Sequence, residues 1–206
     1  MAKQIRGIIL EGQSCSGKTS IFNAIKLCHL SEANAERNVI FLAEHYSQNL
    51  NYVNGGLKNL NREENLRVLS DRIAMLEQLN NYANSMGEHS RQSRGLLFVF
   101  ERFHLNYANA FNDITSDDYV KLEQRLFNLN AQVVLCTISP QNATQRLMHR
   151  ASYTNEVVTQ EVIMKYIENQ KRLVDFATKS TVPTMIINTD GLNWDGYAKM
   201  IFDKIR

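Results

Sequence analysis

The sequence lacks the features that indicate an exported, membrane-spanning or nucleic-acid-binding protein. Its three cysteines, Cys15, Cys28 and Cys136, are odd in number, widely spaced and without a CxxC pair, as is typical of reduced thiols in the cytosol. No apolar run approaches the length of a signal peptide core or of a membrane span. Charge is nearly balanced, with 23 basic and 21 acidic residues and a net charge of +2. We therefore expect a cytoplasmic protein that binds neither membranes nor nucleic acid.

Apolar residues, in contrast, are plentiful. They make up 44% of the 206 residues, which suffices for a sizeable core. No internal repeat and no domain boundary interrupts the chain. We expect a single domain over residues 1–206.

The strongest motif follows the first apolar run. Residues 12–19 read GQSCSGKT, a complete GxxxxGKT phosphate loop, with an amphipathic helical pattern after it. The two glycines let successive N–H groups turn inward into an anion nest at the positive end of the following helix. Lys18 is expected to contact the β- and γ-phosphates, and the Thr19 hydroxyl to bind magnesium. The predicted nucleotide-binding residues are Gly12, Ser14, Cys15, Ser16, Gly17, Lys18 and Thr19.

Short apolar runs alternate with helical patterns along the whole chain. The predicted strands are 8–10, 38–43, 96–100, 132–138 and 183–188. After the helix that follows the phosphate loop, helices are predicted over 60–86, 103–113 and 116–129, then from Pro140, from Thr159 and around 194–205. Residues 46–61 are predicted as a long asparagine-rich loop, and residues 151–158 as a short polar connection. Such alternation predicts an α/β fold, a parallel sheet with helices on both faces.

Polar side chains follow several predicted strands at the sheet edge where ligands bind. Glu44 ends the second strand, Glu101 and Arg102 end the third, and Asp190 follows the last. Glu44 suits a general base, although an ordinary solvated glutamate is the alternative. The planar guanidinium of Arg102 suits an acceptor or a transferring phosphoryl group.

A basic helix face follows the fourth predicted strand. Arg146 and Arg150 lie four residues apart, hence on one face of the helix that begins at Pro140. With the polar stretch after them they predict a lid over about residues 146–158 that closes over the phosphates. The alternative is a basic face that is only solvated.

The order of these motifs, strands and helices along the chain resembles that of the P-loop nucleoside and nucleotide kinases, especially the deoxynucleoside kinase and thymidylate kinase branch. The resemblance covers nearly the whole chain. It is carried by the phosphate loop, Glu44, the segment SDRIAMLEQ with Arg72, the pair Glu101-Arg102 and the lid sequence RLMHRASYTNE. It implies a three-layer P-loop NTPase fold with a five-stranded parallel sheet, and it suggests a homodimer.

The resemblance also implies a role for each matching residue. ATP and Mg²⁺ would be the cofactors, with Asp190 bordering the adenine and Thr19 and Glu101 holding the metal. The implied catalytic residues are Lys18, Glu44, Arg102, Arg146 and Arg150. The implied substrate-binding residues are Glu44, Arg72, Glu101 and Arg102.

The resemblance leaves open which molecule accepts the phosphoryl group. The Glu101-Arg102 pair is closer to deoxynucleoside kinases than to the Asp-Arg pair of thymidylate kinases, so we expect phosphoryl transfer to the hydroxyl of a small molecule, a (deoxy)nucleoside. A thymidylate-like nucleoside monophosphate kinase is one alternative, and a regulatory P-loop NTPase is another. FERF and NTDG stand where a GTPase would carry DxxG and NKxD. A nucleic-acid-dependent ATPase would need a basic patch that the sequence does not show.

Overall fold

The computed structural model describes residues 5–32, 35–44, 50–53, 56–86, 95–154 and 156–205. Its strands are β1 (Ile5–Glu11), β2 (Asn38–Leu42), β3 (Leu50–Val53), β4 (Gly56–Asn59), β5 (Leu96–Glu101), β6 (Ala131–Thr137) and β7 (Thr184–Asn188). Five of them form one parallel sheet in the order β2-β5-β1-β6-β7. All five predicted strands of this sheet are confirmed, and β1, which leads into the phosphate loop, is its central strand.

Helices connect the strands of the sheet. They are α1 (Lys18–Ser31), α2 (Arg62–Met86), α3 (His104–Phe111), α4 (Asp117–Asn128), α5 (Pro140–Thr154), α6 (Gln160–Lys179) and α7 (Trp194–Ile205). Two of the predicted start signals act as N-caps, because the hydroxyls of Ser116 and Thr159 accept hydrogen bonds from the backbone N–H groups of Tyr119 and Val162. These bonds satisfy backbone donors that the first turn of a helix leaves unpaired.

Both faces of the sheet are buried. Ile9 and the other side chains on one face pack against α2, α3, α4 and α6. Ile8 and Leu10 point to the opposite face and pack against α1 and α7. Because alternate side chains of a strand enter opposite cores, the buried strands read as continuous apolar runs rather than alternating ones. The predicted three-layer α/β architecture is confirmed.

One predicted loop contains regular structure. Within residues 46–61, β3 and β4 form an antiparallel pair in which Leu50 lies opposite Asn59 and Val53 lies opposite Gly56. The prediction of a loop without secondary structure is therefore wrong. The sequence between the strands is Asn54-Gly55, the dipeptide most typical of a two-residue hairpin connection, and the high asparagine content obscured that signal. Residues 45–49, 54 and 55 lie outside the described part of the chain.

The fifth helix is longer than predicted. Residues 151–154 continue α5 instead of beginning a polar connection. No proline or glycine follows Arg150 to end the helix, and Tyr153 packs against His149 one turn earlier, with 5.0 Å between the ring centres. The lid predicted over residues 146–158 therefore begins as the last two turns of a helix.

Among the described residues, none of the helices combines the length and the apolar character that crossing a bilayer requires. The predicted homodimer and cytoplasmic location stay predictions.

The contact between β1 and β5 leaves no room for a side chain at Gly7, which pairs with Phe98. A Cβ atom at Gly7 would overlap the Phe98 ring. We expect Gly7→Ala to destabilise the protein by about 1–3 kcal/mol, the usual cost of overpacking a core. In urea unfolding, Phe98→Leu should be less costly in the Gly7→Ala background than in the wild type. Equal effects in the two backgrounds would show that this contact does not limit residue 7.

Candidate functional site

The phosphate loop has the backbone of an anion nest. Gly12, Cys15 and Gly17 have φ angles of 140°, 64° and 84°, so the chain between β1 and α1 turns with its N–H groups inward. Side chains are excluded at both glycines. A Cβ at Gly12 would lie 2.5 Å from the carbonyl oxygen of Cys136, and one at Gly17 would lie 2.6 Å from the ring of Trp194. The loop therefore requires glycine for steric as well as conformational reasons.

Lys18 lies inside this loop, at the first residue of α1. Its side chain is almost fully buried, and Nζ donates to the carbonyl oxygen of Gln13 at 2.9 Å. Burial is the main cause that lowers the pKa of Lys18, and the nearby Arg102 acts in the same direction. The hydroxyl of Ser16 is buried without a hydrogen-bond partner among the described residues. A buried ammonium and an unpaired hydroxyl in an anion nest fit a bound phosphate chain.

The two predicted metal ligands are brought together. The Thr19 hydroxyl donates to Oε1 of Glu101 at 2.6 Å. In the described part of the chain, no three or more His, Cys, Asp and Glu side chains form a group that could hold a metal ion. Magnesium at phosphate sites commonly takes only one or two protein ligands and completes its shell with phosphate oxygens and water. Thr19 and Glu101 therefore fit a magnesium ion bound together with a nucleotide.

Arg102 connects the phosphate loop with the end of β2. Its Nη2 donates to the Ser14 hydroxyl at 3.0 Å, and its Nε lies 3.0 Å from Oε1 of Glu44. About a quarter of each side chain of this ion pair is exposed, 24% for Arg102 and 25% for Glu44. Both charged groups can therefore be reached from solvent while they hold each other in position.

The two predicted lid arginines differ in their surroundings. Arg146 donates to the carbonyl oxygens of Cys15 at 3.2 Å and Thr189 at 2.5 Å, and to the Thr189 hydroxyl at 3.1 Å. It thus joins α5 to the phosphate loop and to the segment after β7. Within the described residues, the guanidinium of Arg150 has no such bond.

Asp190 holds the start of α5. Its carboxylate accepts from the backbone N–H of Ser139 at 3.0 Å and from the side-chain amide of Asn188 at 3.2 Å. Burial alone would raise the pKa of Asp190, but these hydrogen bonds outweigh it and lower the pKa. The carboxylate therefore stays ionised beside the N-terminal end of the helix.

These groups line one cleft of about 720 Å³ above the carboxyl ends of the strands. Its lining residues are Ser14, Cys15, Gly17, Lys18, Thr19, Ser20, Glu44, Arg102, Asn142, Gln145, Arg146, His149, Arg150, Tyr153, Asp190, Leu192 and Trp194. The volume lies within the usual range for sites that bind small molecules. Ten of the predicted site residues are in this set, whereas Gly12, Ser16, Glu101 and Arg72 are not.

Arg72 lies on α2, one turn from the buried Leu69 and Leu76. Its Nη1 atom is buried without a hydrogen-bond partner among the described residues. Burial lowers the pKa of Arg72, and no neighbouring carboxylate opposes that effect. An unpaired buried guanidinium is costly and is the kind of group that an anionic ligand would satisfy.

Sequence reasoning missed two residues of the site. Glu11, the last residue of β1, is fully buried, and its carboxylate accepts from the backbone N–H groups of Phe103 and Leu105. Trp194 packs against Gly17 and lines the cleft. A carboxylate that ends an apolar strand directly before Gly12 was a usable signal for Glu11. The position of Trp194 had no comparable signal.

Neither a protein-family model nor a curated protein sequence matches the chain. Solved structures do. One is the YorR protein from Bacillus subtilis in complex with phosphorylated GDP, with 13% identity, coverage of 97% of this chain and 95% of that chain, and a TM-score of 0.62. Another is thymidylate kinase from Ehrlichia chaffeensis, with 13% identity, 98% coverage of both chains and a TM-score of 0.49.

The likeness to the first structure shows a shared fold at this low identity. The chain shares with it a five-stranded parallel sheet with helices on both faces. The predicted fold class is thereby confirmed, while the assignment of individual site residues stays a prediction.

Glu11 makes the stability of the fold depend on pH. Burial is the main cause that raises its pKa from 4.5 to about 7, against the opposing effect of hydrogen bonds from Asn106, Leu105 and Phe103. Since the folded pKa is above the unfolded one, the folded chain keeps a proton that the unfolded chain releases between these two values. Stability is therefore lost as pH rises through this window. At about 1.4 kcal/mol per pKa unit, ionised Glu11 costs on the order of 3 kcal/mol.

We expect Glu11→Gln to be more stable than the wild type by about 3 kcal/mol at about pH 8, and nearly equal to it at about pH 5. The glutamine stays neutral, so it avoids the cost of burying an ionised carboxylate. Urea unfolding of both proteins at the two pH values measures the difference. A constant difference across this range would exclude Glu11 as the titrating group.

Proposed function

We propose that the protein transfers the γ-phosphoryl group of ATP, with Mg²⁺, to the hydroxyl of a small acceptor, a (deoxy)nucleoside. The observation that carries the proposal is the convergence of three pairs of groups at the end of β1 and β5. Lys18 lies in the phosphate loop, Thr19 touches Glu101, and Arg102 touches Glu44. Together they supply a group that binds phosphate, two ligands for a metal ion, and a general base beside a guanidinium.

Each of these residues has a defined part in the reaction. Lys18 and the loop N–H groups hold the phosphates, and Thr19 and Glu101 hold the magnesium, which neutralises charge on the phosphate oxygens when bound. Glu44 accepts the proton of the acceptor hydroxyl as that oxygen attacks. Arg102 offers its N–H groups to the acceptor and to the transferring group. Catalysis then comes from positioning and charge stabilisation.

The lid arginines act on the donor side. Arg150 lines the cleft, and its guanidinium has no hydrogen bond within the described residues, so it is available for the charge that develops on the phosphoryl group. Arg146 holds the phosphate loop against Thr189, and Asp190 borders the space for the donor base. Arg146 therefore anchors α5 to the phosphate loop and is also part of the lid.

A nucleoside monophosphate acceptor is the second candidate, and Arg72 favours it. Its buried, unpartnered Nη1 would make a stronger, charge-assisted hydrogen bond to a phosphate oxygen than to an oxygen of a neutral nucleoside. Two further buried polar atoms on the same side of the fold, Oδ1 of Asn65 on α2 and Oδ1 of Asn109 on α3, have no partner among the described residues. Polar groups of a ligand would supply the partners that these buried atoms lack.

The primary test is magnesium-dependent ATP consumption with nucleosides, nucleoside monophosphates and unrelated alcohols. We expect one acceptor class to stimulate turnover and Lys18→Ala to lower kcat by at least ~100-fold, because the phosphates lose their fixed charge. Lys165→Ala, at an exposed lysine on α6, is the control and should retain full activity. Slow hydrolysis that no acceptor stimulates would favour the regulatory NTPase instead.

A second test separates the two acceptor classes. If the acceptor carries a phosphate, Arg72→Leu should raise the KM for it by about 10-fold or more and leave the KM for ATP unchanged. Arg67→Leu, at an exposed position on the same helix, should change neither. The stability of the ligand-free protein should not fall in Arg72→Leu, since the buried, unpaired Nη1 of a half-buried side chain is removed. An unchanged acceptor KM would remove Arg72 from the acceptor site.

A further inference from the structure

Glu11 is a buried carboxylate that none of the proposed catalytic steps uses. It is the last residue of β1, directly before Gly12, and its exposure is 0%. Its Oε1 accepts from the backbone N–H groups of Phe103 at 3.0 Å and Leu105 at 2.9 Å, and its Oε2 accepts from the side-chain amide of Asn106. A ligand in the cleft cannot reach it, so any effect on the reaction passes through other residues.

The helix that Glu11 contacts has no cap of its own. The residue before α3 is Phe103, whose side chain has no oxygen, and no side chain at that position caps the helix. The first N–H groups of a helix lack partners within the helix. Glu11 supplies the missing acceptor from the neighbouring strand, as a capping carboxylate would from within the sequence.

This cap adjoins the strained turn that carries Arg102. Arg102 has a φ of 60°, a left-handed conformation that costs a residue with a Cβ about 1–2 kcal/mol. Two bonds hold the turn in place. The N–H of Arg102 itself donates to the carbonyl oxygen of Leu10 at 2.8 Å, and the N–H of Phe103 donates to Glu11. From this turn the guanidinium reaches Ser14 and Glu44.

The other groups around Glu11 do not replace these bonds. His104 is fully buried, with Nδ1 3.9 Å from Glu11 and Nε2 3.7 Å from Glu123, both longer than hydrogen bonds. Glu123 instead accepts from Ser180 and Thr181. All described hydrogen bonds of the Glu11 carboxylate therefore go to the segment from Phe103 to Asn106.

We propose that Glu11 is the positioning residue for Arg102. Its carboxylate oxygen fixes the start of α3, and this keeps the Arg102 turn in the conformation that aims the guanidinium at the phosphate loop and at Glu44. The kinetic part of this inference rests on the proposed phosphoryl transfer. The structural part, a strand carboxylate that caps α3, does not.

Two substitutions of Glu11 distinguish the effect of side-chain length from the effect of charge. Glu11→Gln keeps an oxygen at the position of Oε1, and the Asn106 amide can rotate to present its own oxygen to the new amide. Glu11→Asp keeps an ionisable carboxyl group but withdraws the oxygens by about 1.5 Å, which breaks hydrogen bonds of 2.9–3.0 Å. We expect Glu11→Gln to keep kcat within about 3-fold of the wild type, and Glu11→Asp to lower it by about 10-fold or more.

We expect both substitutions of Glu11 to leave nucleotide binding unchanged, even where kcat falls. Trp194, the single tryptophan of the chain, lies against Gly17 and serves as a fluorescence probe of ATP binding at the phosphate loop. In both variants the dissociation constant from this probe and the KM for ATP should stay within about 3-fold of the wild type. If Glu11→Gln loses as much kcat as Glu11→Asp, an oxygen at the position of Oε1 does not suffice to keep Arg102 in place, and the proposal is overturned. Full kcat in Glu11→Asp overturns it as well.

Amide hydrogen exchange of a peptide covering residues 102–106 tests the cap without any turnover. The protection of this peptide should match the wild type in Glu11→Gln and fall in Glu11→Asp, because only the aspartate leaves two N–H groups without their acceptor. Equal protection in the two variants would reject the cap. A wild-type protein that transfers no phosphoryl group would instead contradict the proposed function, and the exchange result would still decide the role of Glu11.

Discussion

The parallel pairing of β1 with β5 is the constraint on which the candidate site depends. Its register sets Leu10 beside Glu101, so the phosphate loop and the Glu101-Arg102 pair leave the sheet at the same level. The contacts from Thr19 to Glu101 and from Arg102 to Ser14 both cross this pair of strands. A slip by one residue would turn every side chain of one strand to the opposite face and break both contacts.

The cationic groups of the cleft are held by protein oxygens before any ligand is present. Lys18 donates to a loop carbonyl, Arg102 donates to a serine and forms an ion pair with a glutamate, and Arg146 donates to two carbonyls. These partners are exchangeable for phosphate oxygens at little cost in geometry. In the proposed reaction this arrangement would be organised for an anion in advance, and such preorganisation is what makes electrostatic stabilisation effective.

The sequence predicted the sheet well because its strands are buried on both faces and bounded by clear turn or cap residues. The runs at 96–100 and 132–138 have no other reasonable interpretation than central strands. The hairpin at β3 and β4 escaped prediction because polar residues conceal its alternation, and the end of α5 escaped because helix ends depend on contacts such as Tyr153 with His149. The phosphate loop could be predicted because its residues are contiguous. The place of Glu11 at the end of an apolar strand was a usable signal, but its hydrogen-bond partners could not be predicted, since they lie more than 90 positions away along the chain.

The anchoring of Arg146 determines how α5 can move. Its bonds to Cys15 and Thr189 are a second attachment of the helix, after the bond of Asp190 to Ser139, and the eight residues from Arg146 to Thr154 extend about 12 Å beyond it. A rotation of this segment would be centred on Arg146, beside the phosphate loop. A rotation of about 10° around Arg146 displaces the tip near Tyr153 by about 2 Å and the nearer Arg150 by roughly half as much. Small shifts of the loop backbone are thus converted into larger displacements at the mouth of the cleft.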